Sequence, residues 1–414
     1  MRQVIVGNGA AAISAIKAMR EVDHSCQITL VAAEGCRAYS SALFKYYVSG
    51  KINREHVFLI GHDFYQKYNV ETILGSDAVG LDSSKGILYL GNDKKVEYDN
   101  LLIATGSRPV GVGDLSDKSI DTIPLKTIGD ADEVVQLSNS AKEIAILGGG
   151  LSGLEIADAL LRKKSKFILL VSSGQLLSQN VDRACAAIVQ NELESLGVSF
   201  FLGEDIVAMK KWGKKIVIES ASGKKWSVDA VVVAKGMKSN TGLVCGSSVK
   251  VHSGILVNEF MRTNVSHIFA AGDVAETKNI ITGFREVTPN LLSAFKQGRV
   301  AGLNMVGCKD KYTSGLRENV ATLFEIPLIV VGLAETQADT KVTPFVFIDP
   351  GRKIYRKIII DGHKLVGATL LGKTGDAGIL RNLMINHKDI APWQERIASG
   401  GYDFRNIFFP SVRM

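Results

Sequence analysis

Only five cysteines occur in 414 residues, and no two of them stand in a C-x-x-C or C-x4-C spacing. Cys26, Cys36, Cys185, Cys245 and Cys308 are scattered and odd in number. That pattern argues against a disulfide framework, a structural zinc site and an iron–sulfur cluster held by the chain itself. Most of the five read as small buried hydrophobes. The seven histidines show no metal-ligand spacing, and His267 reads as structural, so no metal is expected. Long apolar runs are missing too. The longest, Ile326-Pro327-Leu328-Ile329-Val330-Val331, has the length of a strand and falls far short of a bilayer span. Only Met1-Arg2-Gln3 precede the apolar run Val4-Ile5-Val6. No secretory or transit segment is therefore expected, and the sequence predicts a cytoplasmic protein with no membrane partner. Nucleic-acid motifs are absent, and no nucleic-acid partner is expected.

What is present is ordinary in bulk and specific in detail. The composition, 46% hydrophobic and 22% charged, suits a globular protein. The length suits two or three domains. A formal net charge of +7 favours an acidic partner, although runs such as Arg162-Lys163-Lys164 read as solvated helix ends.

Two glycine-rich turns of one kind stand far apart. The first is Gly7-Asn8-Gly9-Ala10-Ala11-Ala12 after Val4-Ile5-Val6. The second is Gly148-Gly149-Gly150-Leu151-Ser152-Gly153 after Ile144-Ala145-Ile146-Leu147. Each follows an aliphatic strand-like run and opens a helix-like stretch, the context in which the pattern binds a dinucleotide. Glycine there allows a tight turn and lets backbone N–H groups and a helix N-terminus approach a pyrophosphate. Two turns imply two dinucleotides passing electrons between them. An acid closing the second strand should bind ribose hydroxyls. Glu34 is the only candidate, although Ala33 competes for the strand-end position.

The order of elements repeats. Strand, turn, helix Ala10 to Arg20 and strand Gln27 to Ala32 form one βαβ unit, and a second starts at Glu143 and runs through Lys166 to Val171. Each is followed by a predicted hairpin, Gly86 to Leu90 with Lys95 to Tyr98, and Lys215 to Ile218 with Lys225 to Val228. Each half then has a buried strand running to a glycine, Leu101 to Gly106 and Ala230 to Gly236. This predicts two doubly wound α/β domains. After Asn304, strands Pro344 to Phe347 and Lys353 to Ile360, a turn at Asp361-Gly362 and a helix Asp376 to Asn386 predict a third, α+β domain.

Two further segments are A-T-G-x-x-P at Ala104 to Pro109 and A-x-G-D at Ala270 to Asp273. With the two glycine turns, the second extended to Glu155, these resemble the FAD-dependent pyridine nucleotide–disulfide reductase superfamily. The branch resembled contains rubredoxin reductases, ferredoxin reductases and the flavin part of assimilatory nitrite reductase, with apoptosis-inducing factor as a relative. The resemblance implies an FAD-binding domain from 1–112 and 236–310, an NAD(P)H-binding domain from 113–235, and a C-terminal interface domain and tail from 311–414. It places FAD against Gly7, Gly9, Ala12, Glu34, Lys45, Thr105, Gly106, Arg108, Gly236, Gly272, Asp273, Pro289 and Asn290. Asp273 would bind the ribityl chain, and the helix after Pro289-Asn290, with Ala294 and Gln297-Gly298, would point at the flavin ring. NADH, or NADPH, would lie against Gly148, Gly150, Gly153 and Glu155. Ser172-Ser173 occupy the position where NADH-preferring relatives carry an acid, so coenzyme preference stays open, with NADH the family habit.

Thiol-linked relatives carry a reactive cysteine in the stretch Tyr39 to Gly50; near Ala42 this chain has none. Electrons are then expected to leave directly from reduced flavin. Lys45, the one charged residue in that stretch, reads equally as a solvated helix lysine or as a catalytic cation touching the flavin or pairing with Glu155. The implied function is an NAD(P)H reductase that passes hydride to flavin N5 and then electrons to an external acceptor, a rubredoxin, a ferredoxin or an iron–sulfur or metalloenzyme partner. Two alternatives stand beside it: an NADH oxidase or peroxidase, and an NADH-responsive redox sensor or interaction protein. Homodimerisation through the C-terminal domain fits the resemblance. The tail from Trp393, with Tyr402, Phe404, Phe408 and Phe409, reads either as packed on its own chain or as docked on a partner.

Overall fold

The structure, a computed structural model, describes residues 1–113, 120–140, 142–335 and 342–400. Tyr402, Phe404, Phe408 and Phe409 of the tail lie outside the described residues. The chain divides into two compact units. One contains Met1–Gly111, Ile123–Ser140 and Gly236–Gly315, and the other contains Val112–Thr122, Ala141–Lys235 and Leu316–Met414.

The first unit is built on a five-stranded parallel sheet. Its central strand Arg2–Val6 lies between Gln27–Ala32 and Asn100–Ile103; Val70–Leu74 and Ile268–Ala270 form the two edges. Val4, Ile5, Leu30, Leu101, Leu102 and Phe269 are buried, as a parallel sheet covered on both faces requires. The connections leave the central strand in opposite directions, so the carboxyl ends of Arg2–Val6 and Asn100–Ile103 border a topological switch point. The helices Ala10–Val22 and Leu291–Met305 pack together at a small-residue seam. A Cβ on Gly298 would lie 2.1 Å from the Ala11 carbonyl oxygen, and one on Gly302 would lie 2.5 Å from that of Ala15. Each predicted strand of the first hairpin forms, as Ile87–Leu90 and Lys95–Glu97, and Ala78–Asp82 adds a third strand.

In the second unit the parallel sheet runs Ser199–Leu202, Lys166–Val171, Glu143–Leu147 and Ala230–Val233. Its hairpin, Lys215–Ser220 with Lys225–Val228, also gains a third strand, Ile206–Trp212. A five-stranded antiparallel sheet follows, in the order Glu318–Leu323, Ile326–Gly332, Lys364–Leu371, Ile354–Asp361 and Val342–Asp349. Pro344 sits on its edge strand, where a missing N–H costs least. The predicted C-terminal helix forms as Ala377–Ile385, between Asp376 and Asn386. One carboxylate ties the helix Arg183–Ser195 to the antiparallel sheet. Asp182 caps the helix Arg183–Ser195 through the Cys185 amide and accepts hydrogen bonds from Tyr355 Oη at 2.5 Å and Lys357 Nζ at 3.0 Å.

The cysteines differ in part from expectation. Cys26 and Cys185 are buried, but Cys36 and Cys308 are only half-buried and Cys245 is exposed, and none is in a disulfide. All four of Cys26, Cys36, Cys245 and Cys308 lie in loops, and only Cys26 is enclosed, with the Arg20 guanidinium donating to its carbonyl at 2.9 Å and lying 3.2 Å from Sγ. His267 is a structural contact: its ring lies 5.8 Å from that of Tyr98, and Nε2 is 3.0 Å from the Ser83 carbonyl oxygen.

Candidate functional site

Gly7 occupies the switch point of the first unit with φ +107°, and a Cβ there would meet the Ala104 carbonyl oxygen at 2.1 Å. The turn therefore admits no side chain. Gly9 precedes the helix Ala10–Val22 without any side-chain cap, and its Cβ position faces open space. Thr127, Asp130 and Asn290 behave differently: Thr127 and Asn290 supply side-chain acceptors to their helices, and Asp130 completes a capping box with Thr127. The first-turn amides after Gly9 are thus left with a positive end and no side-chain acceptor, the arrangement that binds a phosphate. Ala12 is buried beneath them. Asn8, between the two glycines, is held in place: it donates to the Cys36 carbonyl at 3.1 Å and accepts from Tyr65 Oη at 2.9 Å.

Glu34 stands two residues beyond the strand end at Ala32 and is exposed. Its two oxygens accept from Tyr39 Oη at 2.9 and 2.8 Å. Burial pushes the Tyr39 hydroxyl well above its ordinary range, and the Glu34 charge adds to the effect. Tyr39 therefore stays a donor and fixes the carboxylate in one orientation.

Around Asp273 the chain builds a grip from distant segments. Ser107 Oγ donates to Asp273 Oδ2 at 2.9 Å, and Ser239 Oγ donates to the Asp273 carbonyl at 2.7 Å. Ser107 and Ser239 pair across the short ribbon Ser107–Pro109 with Met237–Ser239. Lys126 Nζ lies 3.4 Å from Ser107 Oγ; since an ammonium only donates, the serine proton must point to Asp273. Thr105 Oγ1 donates to the Asn240 carbonyl at 2.7 Å, and the Asn240 amide donates to the Gly106 carbonyl at 2.9 Å. Gly236 receives the Val110 amide at 2.9 Å. Gly106 and Gly236 both have open Cβ positions, whereas Arg108 is exposed on the ribbon opposite Lys238. Spacing reveals nothing of Lys126, Ser107 and Ser239 as a group, because only folding brings them to Asp273.

Gly272 lies between the two packed helices: a Cβ there would meet the Ala11 and Ala294 methyls at 3.4 and 3.7 Å. Its amide donates to Gln297 Oε1 at 2.8 Å. Asn290 Oδ1 caps the helix Leu291–Met305 at the Ser293 amide, 2.7 Å away, after the exposed Pro289. Asn290 Nδ2, Gln297 Nε2 and Ser40 Oγ are buried with no hydrogen-bond partner from the protein. Such atoms cost free energy unless something accepts or donates to them. With the uncapped helix and the fixed Asp273, they form a donor and acceptor set that suits a hydroxyl- and amide-rich dinucleotide, and the residues present fit FAD.

Lys45 lies in the helix Phe44–Val48, is buried, and holds Nζ 5.0 Å from the Tyr46 ring centre. The reading of a solvated helix lysine is set aside by that burial. Neighbouring Tyr47 donates to Asp132 at 2.7 Å, and burial followed by that bond pushes its pKa up to about 12.

The second unit repeats the first. Gly148 has φ +123°, and a Cβ there would lie 2.3 Å from the Ala234 carbonyl oxygen. Gly150 precedes the helix Leu151–Arg162 without a side-chain cap and faces open space. Gly153 packs so closely that a Cβ would lie 2.0 Å from the Gly148 carbonyl oxygen. Glu155, one turn into the helix, is half-buried. Ser172 is exposed just past the strand end, and Ser173 Oγ donates to the Gln175 carbonyl at 2.7 Å. Among the described residues no group of three or more His, Cys, Asp or Glu side chains is arranged to hold a metal, and no helix is long and apolar enough to cross a membrane.

Residues 1–298 match the profile of the pyridine nucleotide-disulphide oxidoreductase family, and residues 319–388 match the rubredoxin NAD+ reductase C-terminal domain. The assimilatory nitrate reductase electron transfer subunit of Bacillus subtilis is 26% identical over 399 residues, 96% of this chain and 51% of that protein. The NADH oxidase of Methanocaldococcus jannaschii is 28% identical over 395 residues, 90% of this chain and 88% of the oxidase. A ferredoxin reductase structure from Rhodopseudomonas palustris superposes with a TM-score of 0.88 at 19% identity, covering 98% of this chain and 99% of that one. At that identity the likeness is one of fold. The chain spans about half the length of the curated relatives that it matches first, 51% and 48%.

Proposed function

The chain belongs to the pyridine nucleotide-disulphide oxidoreductase family, and on that premise we propose that it is an FAD-dependent NAD(P)H reductase serving an external protein acceptor. The observation that carries this reading is the repeated device: each unit has a parallel sheet ending in a glycine turn and an uncapped helix N-terminus. Bound FAD supplies the chemistry, accepting hydride from NAD(P)H and releasing electrons onward. The residues supply placement. The first-turn amides after Gly9 hold the FAD pyrophosphate, Glu34 holds a ribose, and Asp273, oriented by Ser107, holds a polyol hydroxyl. Asn290 and Gln297 would offer their unpartnered amide hydrogens to the bound cofactor. Lys45 supplies a buried positive charge to the same unit, which favours the anionic reduced cofactor. Gly148, Gly150 and Gly153 hold NAD(P)H, with Glu155 close by on the same helix.

A small electron carrier or an iron–sulfur or metalloenzyme subunit is the proposed acceptor. Similarity to an electron transfer subunit over most of this chain supports it, as does the lack of any paired cysteines for an internal relay. Transfer to dioxygen is the second reading, favoured by the similarity to an NADH oxidase that extends over 88% of that enzyme. Anaerobic reduction of the purified protein with NADH and NADPH in turn, followed by titration with rubredoxin, ferredoxin and air, decides between them. Bleaching of a yellow protein by a nicotinamide coenzyme and recolouring by a carrier is the expected result. A colourless protein that retains no flavin after reconstitution would sink the proposal, and recolouring by oxygen alone would favour the oxidase.

A further inference from the structure

The most exposed large apolar side chain among the described residues is Trp212, at 79% of its full accessibility. It ends the strand Ile206–Trp212 and pairs with Lys215 across the two-residue turn Gly213-Lys214, where Gly213 takes φ +61°. The apex therefore reads Lys210-Lys211-Trp212-Gly213-Lys214-Lys215. Three other cations of the same small sheet are matched: Lys215 pairs with Asp229 at 2.8 Å, Lys224 with Glu204 at 2.6 Å and Lys225 with Glu219 at 3.4 Å. Lys210, Lys211 and Lys214 have no acidic partner among the described residues.

Neither face of the apex is covered. Successive strand residues point to opposite faces, and Met209, on one face, is buried. Yet Lys211 on that same face, and Lys210 and Trp212 on the other, are all exposed. The hairpin end thus stands clear of its sheet on both sides, carrying an indole and three unmatched ammonium groups.

We propose that this hairpin apex binds the surface of an anionic phospholipid bilayer, with Trp212 seated at the headgroup level and Lys210, Lys211 and Lys214 on lipid phosphates and carboxylates. Indole and long-stemmed lysine are the side chains that settle at a membrane–water boundary, apolar stem inward and polar end in water. Basic residues close to an acidic leaflet gain from its surface potential. Lysine is depleted from protein–protein interface cores, where an aromatic anchor needs a surrounding ring of contacts to exclude water. An apex bare on both faces offers no such ring but suits a yielding lipid layer. The sequence-based expectation of no membrane partner rested on the lack of a spanning segment, and surface binding requires none.

The test uses the purified full chain with vesicles of phosphatidylcholine alone or with a third phosphatidylserine, sedimented at low and at high salt. Binding to the anionic vesicles alone, lost at high salt, is expected. The triple variant Lys210→Glu, Lys211→Glu, Lys214→Glu should lower partitioning by about a hundredfold. Trp212→Ala should lower it several-fold. A blue shift of tryptophan emission on binding should vanish in Trp212→Phe, which separates Trp212 from Trp226 and Trp393. All variants should keep NAD(P)H-dependent ferricyanide reduction, so a failure here is distinct from a failure of the reductase assignment. Sedimentation unchanged by the triple variant would overturn the proposal. So would capture by poly-glutamate or duplex DNA as tight as by anionic vesicles, with no blue shift, because the apex would then read charge rather than lipid.

Discussion

Glycines at the two turns fall into two physical kinds, and single substitutions should separate them. At Gly148 and Gly153 a methyl group would lie 2.3 and 2.0 Å from backbone oxygen, inside any tolerable contact. Gly148→Ala and Gly153→Ala should each destabilise the protein by about 3 kcal/mol or more, seen as a clear drop in the thermal midpoint. At Gly150 the added carbon meets nothing within 4 Å. Gly150→Ala should leave the thermal midpoint nearly unchanged but, on the proposed function, raise the KM for NAD(P)H by about tenfold or more, because a side chain would fill the space proposed for the pyrophosphate. An unaltered KM would remove the second nucleotide site from Gly150. A second residue, Glu204, should add to the dependence of stability on acid pH. Hydrogen bonds first from Lys224, then from Ser222 and Ser220, hold its carboxyl down to about 2 from an ordinary 4.5. Because the folded value is depressed, its contribution is present above pH 4.5 and disappears as pH falls towards 2. Glu204→Gln should therefore lose stability at neutral pH, and its gap from the parent protein in urea midpoint should close across that window. A gap that stays constant with pH would rule this out.

Among the elements, the contact between the helix Arg183–Ser195 and the strand Ile354–Asp361 depends on one group. Asp182 serves three donors, the Cys185 amide, Tyr355 Oη and Lys357 Nζ. Burial alone would raise its pKa, but Tyr355, Cys185 and Lys357 together hold it below the usual value. Asp182→Ala removes the helix cap and leaves the Lys357 ammonium buried without a partner, which should cost about 3–5 kcal/mol in urea unfolding. Asp182→Asn combined with Lys357→Met should recover much of that loss, since cap and packing survive and no lone charge remains. Equal loss in both variants would show that the ammonium is not the source. The elements that periodicity reveals are those with long apolar runs and strong turn residues: the two βαβ units, both hairpin pairs and the C-terminal helix. Ala78–Asp82 and Ile206–Trp212 escape that reading. The first is short and interrupted by Gly80, and the second ends in two lysines and a tryptophan. They become strands because a hairpin edge offers them unpaired backbone groups, which no local pattern announces.

Over the whole molecule, charge and topology act together. A net charge of +7 should steer an acidic carrier, so the rate of reducing such a carrier should fall by about tenfold between low and high ionic strength. Reduction of ferricyanide measured beside it reports the effect on a small anion, and a carrier rate indifferent to salt would contradict electrostatic steering. Topology explains what was readable about the candidate site. Gly7, Gly9, Gly148, Gly150 and Gly153 stand in local turns that the chain writes consecutively. Asp273, by contrast, depends on Ser107, Lys126 and Ser239, whose separations along the chain carry no signal.

Local rules of backbone and pattern were enough to place the glycine turns, the strands that feed them and the absence of a thiol near Ala42, because each depends only on neighbours a few residues away. Tertiary structure alone decided that Ile123–Ser140 joins the first unit, where Arg54 Nε and Tyr47 Oη reach Asp132 at 3.0 and 2.7 Å. It alone oriented Glu34 through Tyr39, buried Lys45 and bared Trp212 on both faces. These are matters of which distant surfaces meet and exclude water, and such meetings are settled by packing rather than by the order of residues.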